Sequence, residues 1–164
     1  MGNQHIKFIL PNAPRQPVSF LQGAVLPSWF DNTELSVRGI IKKEDIDKSK
    51  NLIDRIIQSE LDQGVVSNDR IMLVGYSQVV YQPLLLTYSH KYFLTSGGAL
   101  VIYTFYMSKY RLAGCLTYGG ILPMHNDFAK LLQPANVNQP LLMLQGTEDE
   151  VIPASEILPC YTPI

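Results

Sequence analysis

Residues 71–103, IMLVGYSQVVYQPLLLTYSHKYFLTSGGALVIY, hold the two halves of a strand–turn–helix unit and keep them apart. Ile71 to Val74 is an apolar run suited to a buried strand, and Gly75-Tyr76-Ser77-Gln78 has most of the form of a nucleophile turn. In the G-x-S-x-G pattern the serine sits in a strained backbone between strand and helix, which lifts its hydroxyl above the end of the sheet. The flanking positions are glycine because side chains there collide where helix and strand pack closely. Val79 stands where the second glycine belongs, and Gly97-Gly98-Ala99 follows eighteen residues later. Without residues 79–96 the text reads IMLVGYSQGGALVIY, a complete turn.

The flanking chain sets the fold class. Glu44 to Gln63 is the clearest helix, with Ile46, Ile53, Ile56, Ile57 and Leu61 on one face and Gly64 as its stop. Arg70–Val74, Leu112–Tyr118 and Pro140–Gln145 read as strands, as does His5–Leu10 before Pro11. Helices are expected over Gly98–Lys109 and Asn126–Leu132. Pro14, Pro17 and Pro27 exclude a long helix between Pro11 and Asp31. Short, continuously apolar strands separated by helices indicate an α/β domain, a mostly parallel sheet with helices on both faces. No repeat or linker divides residues 1–164, so one domain is expected.

Bulk properties exclude several function classes. Net charge is -1 with 16% charged residues, which gives nucleic acid nothing to bind. Cys115 and Cys160 do not make a disulfide framework, so a reducing, cytoplasmic setting is expected. Across residues 79–107 Lys91 is the only formal charge, but Gln82, Pro83, His90 and Gly97-Gly98 argue against a continuous spanning helix of about 20 residues. Stable membrane insertion is not expected.

Chemistry gathers on few residues. Ser77 is the candidate nucleophile, and the backbone N–H of Gln78 a candidate oxyanion donor. Asp149, in the turn after PLLMLQ, lies where α/β folds place site residues, and an ionised carboxylate there can hold a histidine tautomer. A solvated acidic turn is the other reading, since Glu148 and Glu150 flank it. Of His5, His90 and His125, none follows Asp149, and each reads as a surface or structural residue. Without a base a serine is a weak nucleophile. No metal-ligand spacing and no phosphate loop is present, for Gly97-Gly98 and Gly119-Gly120 lack the rest of such a motif.

Several segments together resemble the acyl-protein thioesterase family, the phospholipase/carboxylesterase group of α/β hydrolases. FILPNAPRQPVSFLQGAVLPSWFD (8–31) is similar to its strand and Pro-rich loop ending in a Pro-Ser-Trp-Phe-Asp box. GVVSNDRIMLVGYSQ is similar to its approach to the nucleophile, GGALVIYTFYMSKYRLAGCLTYGGILP to the next helix and strand, and QPLLMLQGTEDEVIP to its acid-bearing turn. The resemblance implies an α/β-hydrolase-like fold with Ser77 as nucleophile, Gln78 in the oxyanion hole, Asp149 as triad acid and Trp29 beside the acyl channel. It implies an acyl-enzyme route for thioesters or carboxylic esters: palmitoylated proteins, lysophospholipids or small esters. No cofactor is implied.

The resemblance also implies parts that these residues do not hold. The family's first strand and His-Gly-rich oxyanion loop would precede residue 1, and its histidine would follow Asp149 beyond Ile164. Residues 79–96 split the turn, either as an insertion or as a retained intervening sequence. The domain is accordingly expected to be incomplete and to have little activity by itself. A non-catalytic protein that keeps the fold and binds acyl chains or a partner stays open as the alternative.

Overall fold

In a computed structural model of the chain, residues 6–34, 36, 39–76, 97–149 and 152–161 are described. Three parallel strands form its sheet: β3 (Met72–Tyr76), β4 (Gly114–Tyr118) and β5 (Leu141–Leu144), in the order β3-β4-β5. Gly75 pairs with Thr117 and Thr117 with Met143, so one register line crosses all three. Parallel neighbours need long crossovers, and β4 follows β3 by way of α2 (Gly97–Tyr106). The parallel α/β reading of the sequence is what the chain adopts.

An ordinary amphipathic pattern builds α1 (Lys43–Asp62), with Ile46, Ser49, Ile53 and Ile57 buried along one stripe. Glu44 and Asp45 in the first turn complement the helix dipole. At the other end Gly64 has φ +67°, a left-handed conformation that glycine enters freely, and its N–H donates to the Leu61 carbonyl at 2.9 Å. In α2 the apolar residues do not take sides: every position from Gly98 to Tyr106 is buried. It lies on β3 and β4 and carries α1 behind it, and Phe128 of α3 (Phe128–Leu131) packs edge-on against Tyr103 and Tyr106.

The two faces of the sheet differ. Leu73, Gly75, Cys115 and Thr117 point to the buried face, under α2. Met72, Val74, Tyr76, Tyr118, Leu142 and Leu144 point the other way and are 43–65% exposed. Tyr76 and Tyr118, opposite each other in the register, stack at 5.4 Å between ring centroids. Among the described residues the helices that pack on the sheet cover one face.

Two segments depart from the sequence reading. Ile6 to Leu10 forms no strand, because an isolated apolar stretch needs a partner ladder and finds none among the described residues. Instead Lys7 reaches along α1 to Glu60, 2.6 Å away, while Phe8 and Leu10 stay exposed. The Pro-rich stretch, from which the sequence excluded only a long helix, contains an antiparallel hairpin of β1 (Arg15–Val18) and β2 (Ala24–Pro27). Pro17 fits because each strand of a two-stranded ribbon has an unpaired edge that asks for no N–H. Gln22 at φ 55° and Gly23 at φ 81° turn the chain between them.

Asn136 is the polar knot of the core. It is fully buried, accepts from the Leu112 N–H and donates to the Phe105 and Tyr110 carbonyls, all at 2.8 Å. These groups lie at the end of α2 and the entry to β4, so one side chain joins both to the loop before β5. The two thiols differ in environment. Burial pushes the Cys115 thiol up to about 12, whereas Cys160 is partly exposed and its Sγ donates to the Glu156 carbonyl. A thiolate is the reactive form. An aromatic disulfide reagent at pH 8 is therefore expected to modify Cys160 in the native protein and Cys115 only after denaturant is added. Two equivalents released before unfolding would contradict this packing.

Candidate functional site

Parallel strands end together, so the loops leaving β3, β4 and β5 gather at one edge of the sheet. Adjacent strands lie about 4.8 Å apart, which puts the exits of β3 and β5 about 10 Å from each other. Ser77 is the first residue after β3, and Asp149 is the fifth after β5. Ser77, Gln78, His5 and His90 lie outside the described residues.

What the described residues fix is the seat of α2 on β3. A Cβ on Gly75 would press into the Val101 methyl and the Gly97 carbonyl oxygen, and would lie 2.8 Å from the Gly97 carbonyl carbon. A Cβ on Gly97 would lie 3.1 Å from the Tyr76 carbonyl oxygen. Gly75 and Gly97 are therefore glycines at which strand and helix nearly touch. A second contact continues the seat. A Cβ on Gly98 would lie 2.7 Å from Thr117 Oγ1 and 2.8 Å from Gly120 Cα. The sequence marks Gly97-Gly98 as the second half of the nucleophile turn, and Gly119-Gly120 only as a fragment of a phosphate loop. Their mutual contact had no signal in the sequence, since it joins positions 98, 117 and 120 through the fold.

Asp149 is held, not loose. Its Oδ1 accepts the Ile152 N–H at 2.9 Å, and its Oδ2 accepts from Gln145 Nε2 at 2.9 Å. The same Gln145 nitrogen donates to the Ile152 carbonyl at 3.0 Å, so the glutamine closes the turn around the acid. Such local bonds also order acidic turns in general, so they fix where the carboxylate sits and leave its role to the reading proposed below. Gln145 appeared in the sequence only as the end of a strand, and its clamp role was missed.

Trp29 is partly buried and packs beside α1. With Pro11, Asn12, Leu52, Arg55 and Ile56 it lines an open groove of about 330 Å³. The box around it is largely architectural. Ser28 Oγ donates to the Phe30 carbonyl at 2.7 Å, Phe30 is buried, and Asp31 accepts the Ser19 N–H at 2.7 Å. Ser49 of α1 donates its hydroxyl to the Trp29 carbonyl, which ties the box to the helix. His125, half-buried, lies in the turns between β4 and α3. Among the described residues no three His, Cys, Asp or Glu side chains form a group able to hold a metal ion, and no helix is long and apolar enough to cross a membrane.

Comparison with known proteins decides the family. The sequence profile of the phospholipase/carboxylesterase family matches residues 1–158. The chain belongs to that family. Among the relatives of this phospholipase/carboxylesterase chain, acyl-protein thioesterase 1 homolog 1 of Dictyostelium discoideum is 37% identical over 152 residues. That match takes in 92% of this chain and 58% of the relative. Acyl-protein thioesterase 1 of Gibberella zeae is 32% identical over 155 residues, again across 58% of its length. The chain thus spans under two thirds of these relatives. Its fold is that of α/β-hydrolase-like members: Arabidopsis thaliana SOBER1 superposes with a TM-score of 0.75 at 24% identity, over 93% of this chain and 66% of that one. Acyl-protein thioesterase 2 of Zea mays gives 0.65 at 21% identity, over 89% and 61%.

Proposed function

We propose that the chain carries the nucleophile and acid of a serine hydrolase that cleaves thioesters or carboxylic esters. Ser77 attacks the acyl carbon, Gln78 donates its backbone N–H to the oxyanion, and Asp149 is the acid that orients a histidine base. The close seat of α2 on β3 at Gly75 and Gly97 is the observation that carries this reading, since such proximity is what a nucleophile turn requires of its glycines. The fixed carboxylate of Asp149 at the same edge of the sheet supports it. S-acylated proteins are the substrate class that the relatives' names suggest, with lysophospholipids and small esters as further acyl donors. Trp29 would lie along the acyl chain's path, and a cytoplasmic setting fits the two unpaired cysteines. A serine without a base is a weak nucleophile, and low activity of residues 1–164 assayed alone is part of this proposal.

The test uses the full chain and its Ser77→Ala form with a fluorophosphonate probe and an acyl thioester. Trace labelling confined to Ser77 is expected, with turnover at least about a thousandfold below that of a triad supplied with its base. Labelling that persists in Ser77→Ala removes Ser77 as nucleophile, and rapid turnover by the parent chain removes the low-activity reading. Acyl-ligand binding that survives Ser77→Ala, with no turnover in either form, would favour a binding protein built on the hydrolase fold.

A further inference from the structure

We infer that the open groove beside α1 seats an apolar peptide segment that carries a carboxylate, with Arg55 as the group that recognises the charge. Pro11, Trp29, Leu52 and Ile56 give the groove an apolar lining, and the exposed side chains of Arg55 and Ser59 line it as well. The charge is what sets it apart. Each of the three lysines of α1 is paired with a carboxylate of the same helix: Lys43 with Asp47 at 2.6 Å, Lys48 with Asp45 at 2.8 Å and Lys50 with Asp54 at 2.5 Å. Among the described residues Arg55 makes no ion pair. The positions three and four residues away on its helix, Asn51, Leu52, Gln58 and Ser59, are all uncharged, so α1 offers it no carboxylate within reach. Its Nε donates to the Asn51 carbonyl at 3.2 Å.

A guanidinium without a carboxylate, beside an apolar lining, complements a ligand that is apolar and anionic at once. The open shape selects among such ligands. Small-molecule sites bury most of the ligand's surface, which an open groove does not. A peptide segment needs only the side chains of one face seated, and it continues into solvent at both ends. The location also separates the groove from the chemistry. Gln58, less than one turn from Arg55, accepts from the Tyr110 hydroxyl, and Tyr110 lies shortly before β4. This end of the groove is therefore level with the start of the strands, opposite the edge where the loops leave β3 and β5.

Trp29 is the single tryptophan of the sequence, so intrinsic fluorescence reports on the groove directly. The test titrates the full chain with an end-blocked peptide of alternating leucine and glutamate, and with the same peptide carrying glutamine. A saturable shift of the Trp29 emission is expected, with the glutamine peptide binding about three- to fivefold more weakly at low salt. That difference should fade at about 0.5 M salt. In Arg55→Gln the two peptides are expected to bind alike, and in Arg55→Lys part of the preference should return. No emission response in the parent, equal affinities in the parent, or a preference that persists in Arg55→Gln overturns the inference. So does a saturable response to laurate with none to the peptides, which would assign the groove to acyl chains. The two peptides are compared within the parent itself, so the test stands even if a variant folds poorly. None of these readouts uses Ser77, so the labelling experiment and this one succeed or fail separately.

Discussion

Gly75→Ala is expected to destabilise the domain by about 3 kcal/mol, the upper part of the usual range for overpacking a core. The added methyl would meet the Gly97 carbonyl group and the Val101 side chain at once. Val101 could rotate, but the carbonyl belongs to the start of α2 and moves only if the helix moves. That helix is buried from Gly98 to Tyr106, with Thr117 and Gly120 under its first turn, so a shift at Gly97 is resisted from both sides. In a chain of this size the cost corresponds to a loss of roughly 6–12 °C in Tm. Gly146→Ala is the matched control, because a Cβ there would meet only Asp149, its Cβ at 3.9 Å and its nitrogen at 4.0 Å, both ordinary contacts. Its expected cost is under about 1 kcal/mol. Equal melting temperatures for the two variants would mean that β3 and α2 are not seated as described.

Asn136→Ala should rank with it. Truncation strands the Leu112 N–H and takes one buried donor group away from two carbonyls, those of Phe105 and Tyr110. An unsatisfied buried polar group costs about 1–3 kcal/mol, and here several are created together, so a loss of about 3 kcal/mol in a denaturant titration is expected. Asn136→Asp separates the hydrogen-bond effect from the loss of volume. It keeps the acceptor for Leu112, replaces the donor by a second acceptor facing two carbonyls, and buries a charge. It should therefore be at least as harmful near neutral pH despite its nearly identical shape. A benign Asn136→Asp would show that the amide is not the source of the effect.

The parts of the fold legible in the sequence are those in which burial leaves a periodic or continuous trace. The stripe Ile46–Ile53–Ile57 announced α1, and the runs at 71–74, 112–118 and 140–145 announced the three strands to within a few residues. Ile6–Leu10 misled because apolarity marks a readiness to pair and says nothing of whether a partner is there. The hairpin at 15–27 was hidden by its prolines, which bar a helix but are tolerated on the free edges of a two-stranded ribbon. Asp149 stands out in the sequence because it follows a strand, but the bonds that hold its carboxylate do not show there. Gln145 and Asn136 do not stand out, since a glutamine closing a turn and an asparagine joining three backbone groups look like any other amide until the chain is folded. The pairing of Gly75 with Gly97 was readable only by treating eighteen residues as if they were absent.

The sheet face that carries Met72, Val74, Tyr76, Tyr118, Leu142 and Leu144 bears on how the chain responds to temperature. Heat capacity rises on unfolding because apolar groups enter water, and side chains that are already wet contribute little to that rise. Residues 1–164 are therefore expected to show, in calorimetry, a heat-capacity rise below the usual value for their length and a correspondingly shallow stability curve.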